Sequence, residues 1–361
     1  MTKVCEPSLV SRKSLESALL GCKIESGLFH GEWECLALEN EEIYLKILVD
    51  KGADVIQLIY KPTATNLIWI SERGIPEKKF TPSDYSNDFL FTDSYAGGWQ
   101  TVFPNGGLPS DFNGVHFAQH DEVALKPWKF EVLEESAERV SVRFEIFSEK
   151  LPFRITKTFS LEKGSPRILI EESIENLSNE ELLTMWGSHI TFGPPFLSEK
   201  SKIIFIGNPR VLPHPVEIDI GGRRVGTTSE FRWPIGLDPN NLEIDFSHIP
   251  ERGTESELLY ISDFEKPSFR IESSDLNLAI DFEWDQTIFP YIWYWQEFGK
   301  SKEYPWFGKN FNIGLEPFSS FPTNGLAESV NNHSAMRFDP KEIKVAHSNF
   351  KVSKLQTTRK G

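Results

Sequence analysis

Val140-Ser141-Val142-Arg143-Phe144-Glu145-Ile146 alternates apolar with polar side chains from end to end. Successive side chains of a strand point to opposite faces, so this run reads as a half-buried β-strand with Val140, Val142, Phe144 and Ile146 inward. The same period continues on either side. Phe153, Ile155 and Phe159 follow, then Ile168 and Ile170, and short runs recur at Tyr44–Val49, Val55–Tyr60, Lys202–Ile206, Glu257–Ile261, Ser268–Ile271, Leu276–Phe282 and Tyr291–Trp295. Strands at short spacing, parted by Gly, Pro and Asn, predict an antiparallel all-β sandwich or barrel with few helices. One helix is expected over Pro7–Leu20, where Ser8 or Ser11 caps and Leu15, Leu19 and Leu20 share a face. No Ser/Gly or Pro-rich linker divides the chain. The expected organisation is an N-terminal segment 1–26, a single β domain over 27–355 and a frayed tail over 356–361.

Bulk properties narrow the function classes. With 53 acidic against 38 basic residues the net charge is −15, which argues against a nucleic-acid partner and against attraction to anionic membrane. Three cysteines, Cys5, Cys22 and Cys35, form no spaced pairs, so neither a disulfide framework nor a zinc site is expected. The first residues lack a signal peptide's apolar core and no stretch reaches the ~20 apolar residues of a membrane span, so a soluble, cytoplasmic protein is expected. Aromatic residues make up 13% of the chain, with 10 Trp, a level that suits both a large core and flat sugar-stacking surfaces.

Four segments carry chemistry. In Asn312-Ile313-Gly314-Leu315-Glu316-Pro317-Phe318, Ile313 and Leu315 read as inward strand positions, and Glu316 falls where the strand should stop before the proline. A carboxylate so fixed, beside Phe311 and Phe318, is a candidate base in an aromatic cleft or a solvated edge residue. Gly97-Gly98-Trp99 to Asn105-Gly106-Gly107 is a glycine-rich loop or a turn-rich hairpin; without a following Lys-Ser/Thr it does not read as a phosphate cradle. In Gly114-Val115-His116-Phe117-Ala118-Gln119-His120-Asp121-Glu122 the two histidines sit four apart; a metal site with Glu122 is possible on a helix, but the flanks read as a loop entering a strand. His189 lies in the apolar, glycine-flanked run Trp186–Phe192, where burial would lower its pKa.

At these segments the chain resembles the galactose mutarotase-like (aldose 1-epimerase) superfamily. His120-Asp121-Glu122 to Trp128 is similar to that family's first histidine stretch, Trp186–Phe192 to its second histidine strand, and Gly314-Leu315-Glu316-Pro317 to its C-terminal glutamate strand. The order His, His, Glu matches over roughly Gly52 to Phe338. Asp121 stands where the family has glycine, and Asn105-Gly106 stands near the place of its arginine-containing segment. The resemblance implies an antiparallel β-supersandwich with a sugar cleft on a concave face. It implies Glu316 as general base, His189 as general acid and His120 as a sugar-binding residue, with His116 competing for that last role. Asn105, Trp99, Trp293 and Gln296 are further candidates for binding sugar, with Trp295 beside them. Mutarotation moves one proton off and one on, so it asks for an acid and a base on either side of the acetal carbon and needs no metal and no cofactor.

The implied activity is interconversion of sugar anomers; the alternatives are a non-catalytic carbohydrate-binding or sensing protein and a glycosidase pairing Glu316 with Glu122 or Asp285. The expected partner is a small carbohydrate. Arg210, Arg223 and Arg224 stand ready for an anionic substituent or, as loop charges, for water.

Overall fold

The computed structural model describes residues 21–30, 32–78, 87–226 and 229–355; the helix expected over Pro7–Leu20 and the tail from residue 356 lie outside them. Two antiparallel sheets build the molecule. The larger has twelve strands and runs from the edge Lys23–Phe29 to the short strand Phe231–Arg232 at the other edge. Its centre is the sequence Trp99–Val102, Gly187–Phe192, Asn312–Phe318, Tyr291–Phe298 and Thr254–Ser262. The smaller has eight strands, from Ser201–Phe205 through Leu278–Trp284 and Ile343–Lys354 to Lys129–Glu135 at its edge. The opening run lies in its strand Arg139–Phe147, with Val142 opposite Phe159 and Ile146 opposite Ile155 on the neighbour. Two short helices unmarked by any apolar periodicity, Leu90–Ser94 and Leu326–Asn331, interrupt the β-structure.

One apolar core fills the space between the sheets. Leu45, Ile190, Ile313 and Leu315 of the larger meet Phe144, Phe159, Phe282 and Phe350 of the smaller. Within it Lys157 pairs with Glu172 at 3.2 Å, both buried, while Thr101 donates to Glu172. Breaking one partner of such a pair would leave an uncompensated buried charge, at a cost of about 3–5 kcal/mol.

The larger sheet is covered on its other side as well. Every residue of Asn312–Phe318 is buried, so the period of two decides which layer a side chain enters rather than whether it meets water. Ile313 and Leu315 enter the sandwich core, as their positions predict, while Gly314, Glu316 and Phe318 face the opposite, concave side. The strand does not stop at Glu316; it continues through Pro317, opposite Ile292, to Phe318. A central proline lacks a ladder donor, and the ladder accommodates it. Pairing with the histidine strand is made at Gly187–Phe318 and at Thr191–Gly314 and lapses between them. Glu316 and His189 face each other across that lapse.

Candidate active site

The concave side of the larger sheet holds a cleft of about 410 Å³, within the range of small-ligand sites. Three neighbouring strands supply its floor: His189 from one, Glu316 from the next, then Trp293, Trp295 and Glu297 at alternate positions of the third. His189 Nε2 lies 3.6 Å from Glu316 Oε1. That is beyond a direct hydrogen bond but close enough for both atoms to touch one ligand group.

Burial governs both groups. It pushes the Glu316 carboxyl well above the ordinary glutamate range and lowers the His189 imidazole to about 3. An uncharged pair results, with the proton on Glu316. The tautomer of His189 follows from its other neighbours. Thr191 donates its hydroxyl to Gly98 O at 3.0 Å, so Tyr95 donates to Thr191 Oγ1 at 3.2 Å and meets His189 Nδ1, 3.4 Å away, as an acceptor. Nδ1 therefore carries the hydrogen and Nε2 turns its lone pair toward Glu316.

His120 reaches the same cleft from a turn rather than a strand. Its backbone is left-handed, with φ of 54°, and it is locked to Gly107 in both directions: its N–H donates to Gly107 O at 3.1 Å, and Gly107 N–H donates to its Nδ1 at 3.2 Å. An accepting Nδ1 makes Nε2–H the protonated nitrogen, a neutral donor aimed into the cleft. Burial, and then the nearby His189, hold its pKa well below the ordinary histidine value. Gly107 is needed for this approach because a Cβ there would overlap the Thr323 backbone. Phe91 packs against both imidazoles, with ring centres 4.4 and 5.6 Å away.

The other residues nominated from sequence divide. Trp293 lines the cleft, stacked on Phe318 at 3.5 Å between ring centres, and Trp295 lies beside it. His116 does not line it: the ring is exposed between Asp88, 2.6 Å away, and Asp111, 2.8 Å away. Asn105 is wholly buried and spends its amide on Leu108 O, Ala118 O and the Leu326 N–H. Trp99 faces the sandwich core, where its indole bonds Ser188 and lies beneath the Lys157 ammonium. Gln296 shares the parity of Ile292 and Tyr294 and bonds Arg224 below the sheet. Glu122 is tied to Lys126, Ser148 and two backbone N–H groups, and Asp285 bonds Thr287; neither lines the cleft. The arginines are committed elsewhere, Arg223 to Glu257 and Arg224 to Gln296.

Among the lining residues that no sequence signal singled out are Tyr95, His214, Trp306 and Glu297. Glu297 was legible in principle, being two positions from Trp295 on the same strand face. Burial raises its carboxyl from 4.5 to about 7. A raised carboxyl stabilises the fold in full below pH 4.5, and that contribution is lost as pH rises through about 7. The loss is at most about 3 kcal/mol. Glu297→Gln should therefore melt higher than the wild type at pH 8 and much like it at pH 4, in paired calorimetric scans. A pH-independent difference between the two would refute the assignment.

Among the described residues, no helix is long and apolar enough to cross a membrane, and no group of three or more His, Cys, Asp or Glu is placed to hold a metal ion.

Comparison with solved structures places this architecture. A Klebsiella pneumoniae protein provisionally designated an aldose 1-epimerase superposes with a TM-score of 0.71 at 12% identity, covering 91% of this chain and 83% of its own. A galactose mutarotase-like protein from Clostridium acetobutylicum gives 0.65 at 15% identity, over 93% and 99% of the two chains. A galactose mutarotase related enzyme from Lactobacillus acidophilus gives 0.59 at 12%, over 90% and 98%. At such identities the likeness is one of fold. No curated protein matches the sequence. The family model described as Domain of unknown function (DUF4432) matches residues 32–216, more than half of the chain. The protein is thus a member of the DUF4432 family, built on the antiparallel β-supersandwich of the galactose mutarotase-like proteins.

Proposed function

We propose that the protein is an isomerase that interconverts the anomers of an aldose, with Glu316 and His189 as the proton-transfer pair and His120 orienting the sugar. The observation that carries this reading is the 3.6 Å approach of His189 Nε2 to Glu316 Oε1 in an aromatic-walled cleft. The sequence expectation sets acid and base on either side of the acetal carbon. Their proximity favours a different arrangement, in which both serve the two oxygens attached to that one carbon.

Ring opening then runs as follows. With sugar bound, the pair's proton passes from Glu316 to His189 Nε2. Glu316, now a carboxylate, takes the proton of the anomeric hydroxyl while His189, now an imidazolium, gives one to the ring oxygen. The bond from the anomeric carbon to the ring oxygen breaks, and its electron pair stays on that oxygen. The hydroxyl oxygen becomes the aldehyde oxygen. Rotation about the adjacent carbon–carbon bond presents the other face, and the reverse transfers close the second anomer. The pair holds one proton before and after, so no further acid is consumed. Burial favours the uncharged pair, which is both the resting state and the state left by ring opening, so the ion pair exists only while the sugar reacts. Trp295 supplies flat surface for the apolar face of a sugar ring, with the buried Trp293 beside it, and His120 Nε2–H supplies a neutral donor.

Exchange spectroscopy on the anomers of a panel of aldoses tests the reading. Acceleration is expected for at least one sugar. Because one proton is shared by two groups, kcat at saturating sugar should be level within roughly twofold between about pH 5 and 8 once the buffer rate is subtracted. A tenfold step centred near 6.5, the ordinary histidine value, would remove His189 from the pair.

A further inference from the structure

Glu297 lies at the end of the cleft beyond Trp295, and its carboxyl is built into place. Ser256, from the neighbouring strand Thr254–Ser262, and Ser301, from the turn that follows, both donate to Oε2, at 2.9 and 2.6 Å. All three residues are buried, with 3% of Glu297 exposed. The Trp295 side chain also hydrogen-bonds the carboxyl, so a ligand hydroxyl that meets Glu297 would share it with that indole. No Lys or Arg lines the cleft among the described residues. The nearby bases are engaged: Arg223 with Glu257 and the His214 carbonyl, Lys300 with Glu255. A carboxyl buried only for structural reasons is ordinarily paired with a cation, because burying it alone is costly. Here the cost is borne at the wall of a ligand cleft. The rise of its pKa to about 7 fits a carboxyl kept from water and from cations alike.

Register gives the distance it works across. Trp293 lies opposite Glu316 and Trp295 opposite Gly314, over which the Glu316 carboxylate folds. Glu297 is two residues farther along, about 7 Å on along the strand and about 4.8 Å across, hence about 8 Å in all. That is the scale of a pyranose with its hydroxyls, and the Trp295 ring lies in between. We propose that Glu297, clamped by Ser256 and Ser301, is the specificity-determining residue of the cleft: it receives a hydroxyl on the part of the sugar ring remote from the anomeric carbon. A phosphate ester in place of that remote hydroxyl would be refused, since its charge would meet a buried carboxyl with no basic side chain lining the cleft.

The inference rests on the anomer-exchange reading, and the experiment separates the two. Exchange kinetics are measured for the wild type and for Glu297→Gln on one accepted aldose and on its deoxy analogues lacking single ring hydroxyls. At pH 8, above the Glu297 value of about 7, a charged hydrogen bond is worth about 10- to 100-fold, so KM for the parent sugar should rise by about that factor while kcat changes by less than about threefold. One deoxy sugar, altered away from the anomeric end, should lose the same factor in the wild type and nothing further in the variant. Ser301→Ala should show the same selective pattern at smaller amplitude. Equal losses for every deoxy sugar in the variant, or a fall in kcat at unchanged KM, overturn the inference. If the wild type accelerates no aldose, the proposed activity fails instead. Calorimetric titration of the same panel then decides on Glu297 alone, with an unchanged Kd in Glu297→Gln counting against it.

Discussion

Glu316→Gln should abolish anomer exchange while leaving the protein folded. The amide has the shape of the carboxyl but cannot take a proton, and loss of a positioned base costs about 10³-fold in rate, or about 4 kcal/mol. Stability should hold, because burial already favours the uncharged form that glutamine mimics. The pairing of effects is the test: exchange spectroscopy should fall to the buffer rate while the melting temperature moves by no more than about two degrees. An unchanged exchange rate would remove Glu316 from the chemistry and leave a binding protein as the better reading.

Gly314→Ala should do nearly as much damage without touching a reacting atom. Gly314 stands between Thr191 and Trp295 in the sheet, and a Cβ built there falls on the carboxylate of Glu316, inside contact distance of Oε1. The three atoms nearest that Cβ all belong to the Glu316 side chain, and the backbone at Gly314 is not left-handed, so alanine fits by swinging the carboxylate away. A displacement of about 1 Å can cost about 100-fold. The expected outcome is kcat down by about that factor, with stability equal to or slightly above wild type, since Gly to Ala in a strand lowers the entropy of the unfolded chain. Full activity in this variant would mean that the position of the carboxylate is not critical, and the catalytic geometry would have to be redrawn.

The fold was legible because alternation is a local property. Val140 to Ile146 and Ile313 with Leu315 occupy the layers their parity demands. The candidate site was legible only where spacing and chemistry coincided, as at His120, His189 and Glu316, which line one cleft. It was less so where both faces of a strand are buried. On Tyr291–Phe298 the two faces cannot be told apart by polarity, yet parity alone forbids Trp293 and Gln296 from sharing one, and it would have favoured Glu297 over Gln296. Residue type alone points Trp99 and Asn105 toward the cleft, whereas contacts from distant segments, Lys157 above one and Leu326 beside the other, hold them in the interior. Tyr95 sits after a five-residue helix too short to announce itself by period. The proline at 317 predicts a stop, but an interrupted ladder on one side lets the strand pass through it.

The two-way lock between Gly107 and His120 has a consequence for how this chain can vary. It closes the intervening residues into a loop, whose hairpin pairs Ser110–Phe112 with Val115–Phe117 and turns at Asn113-Gly114. The imidazole is oriented from the base of the loop, by main-chain atoms, so the tip is free of any duty toward it. Length and sequence at Asn113-Gly114 are accordingly open to drift or to a grafted peptide, and the tip is a natural port for attaching a reporter beside the cleft.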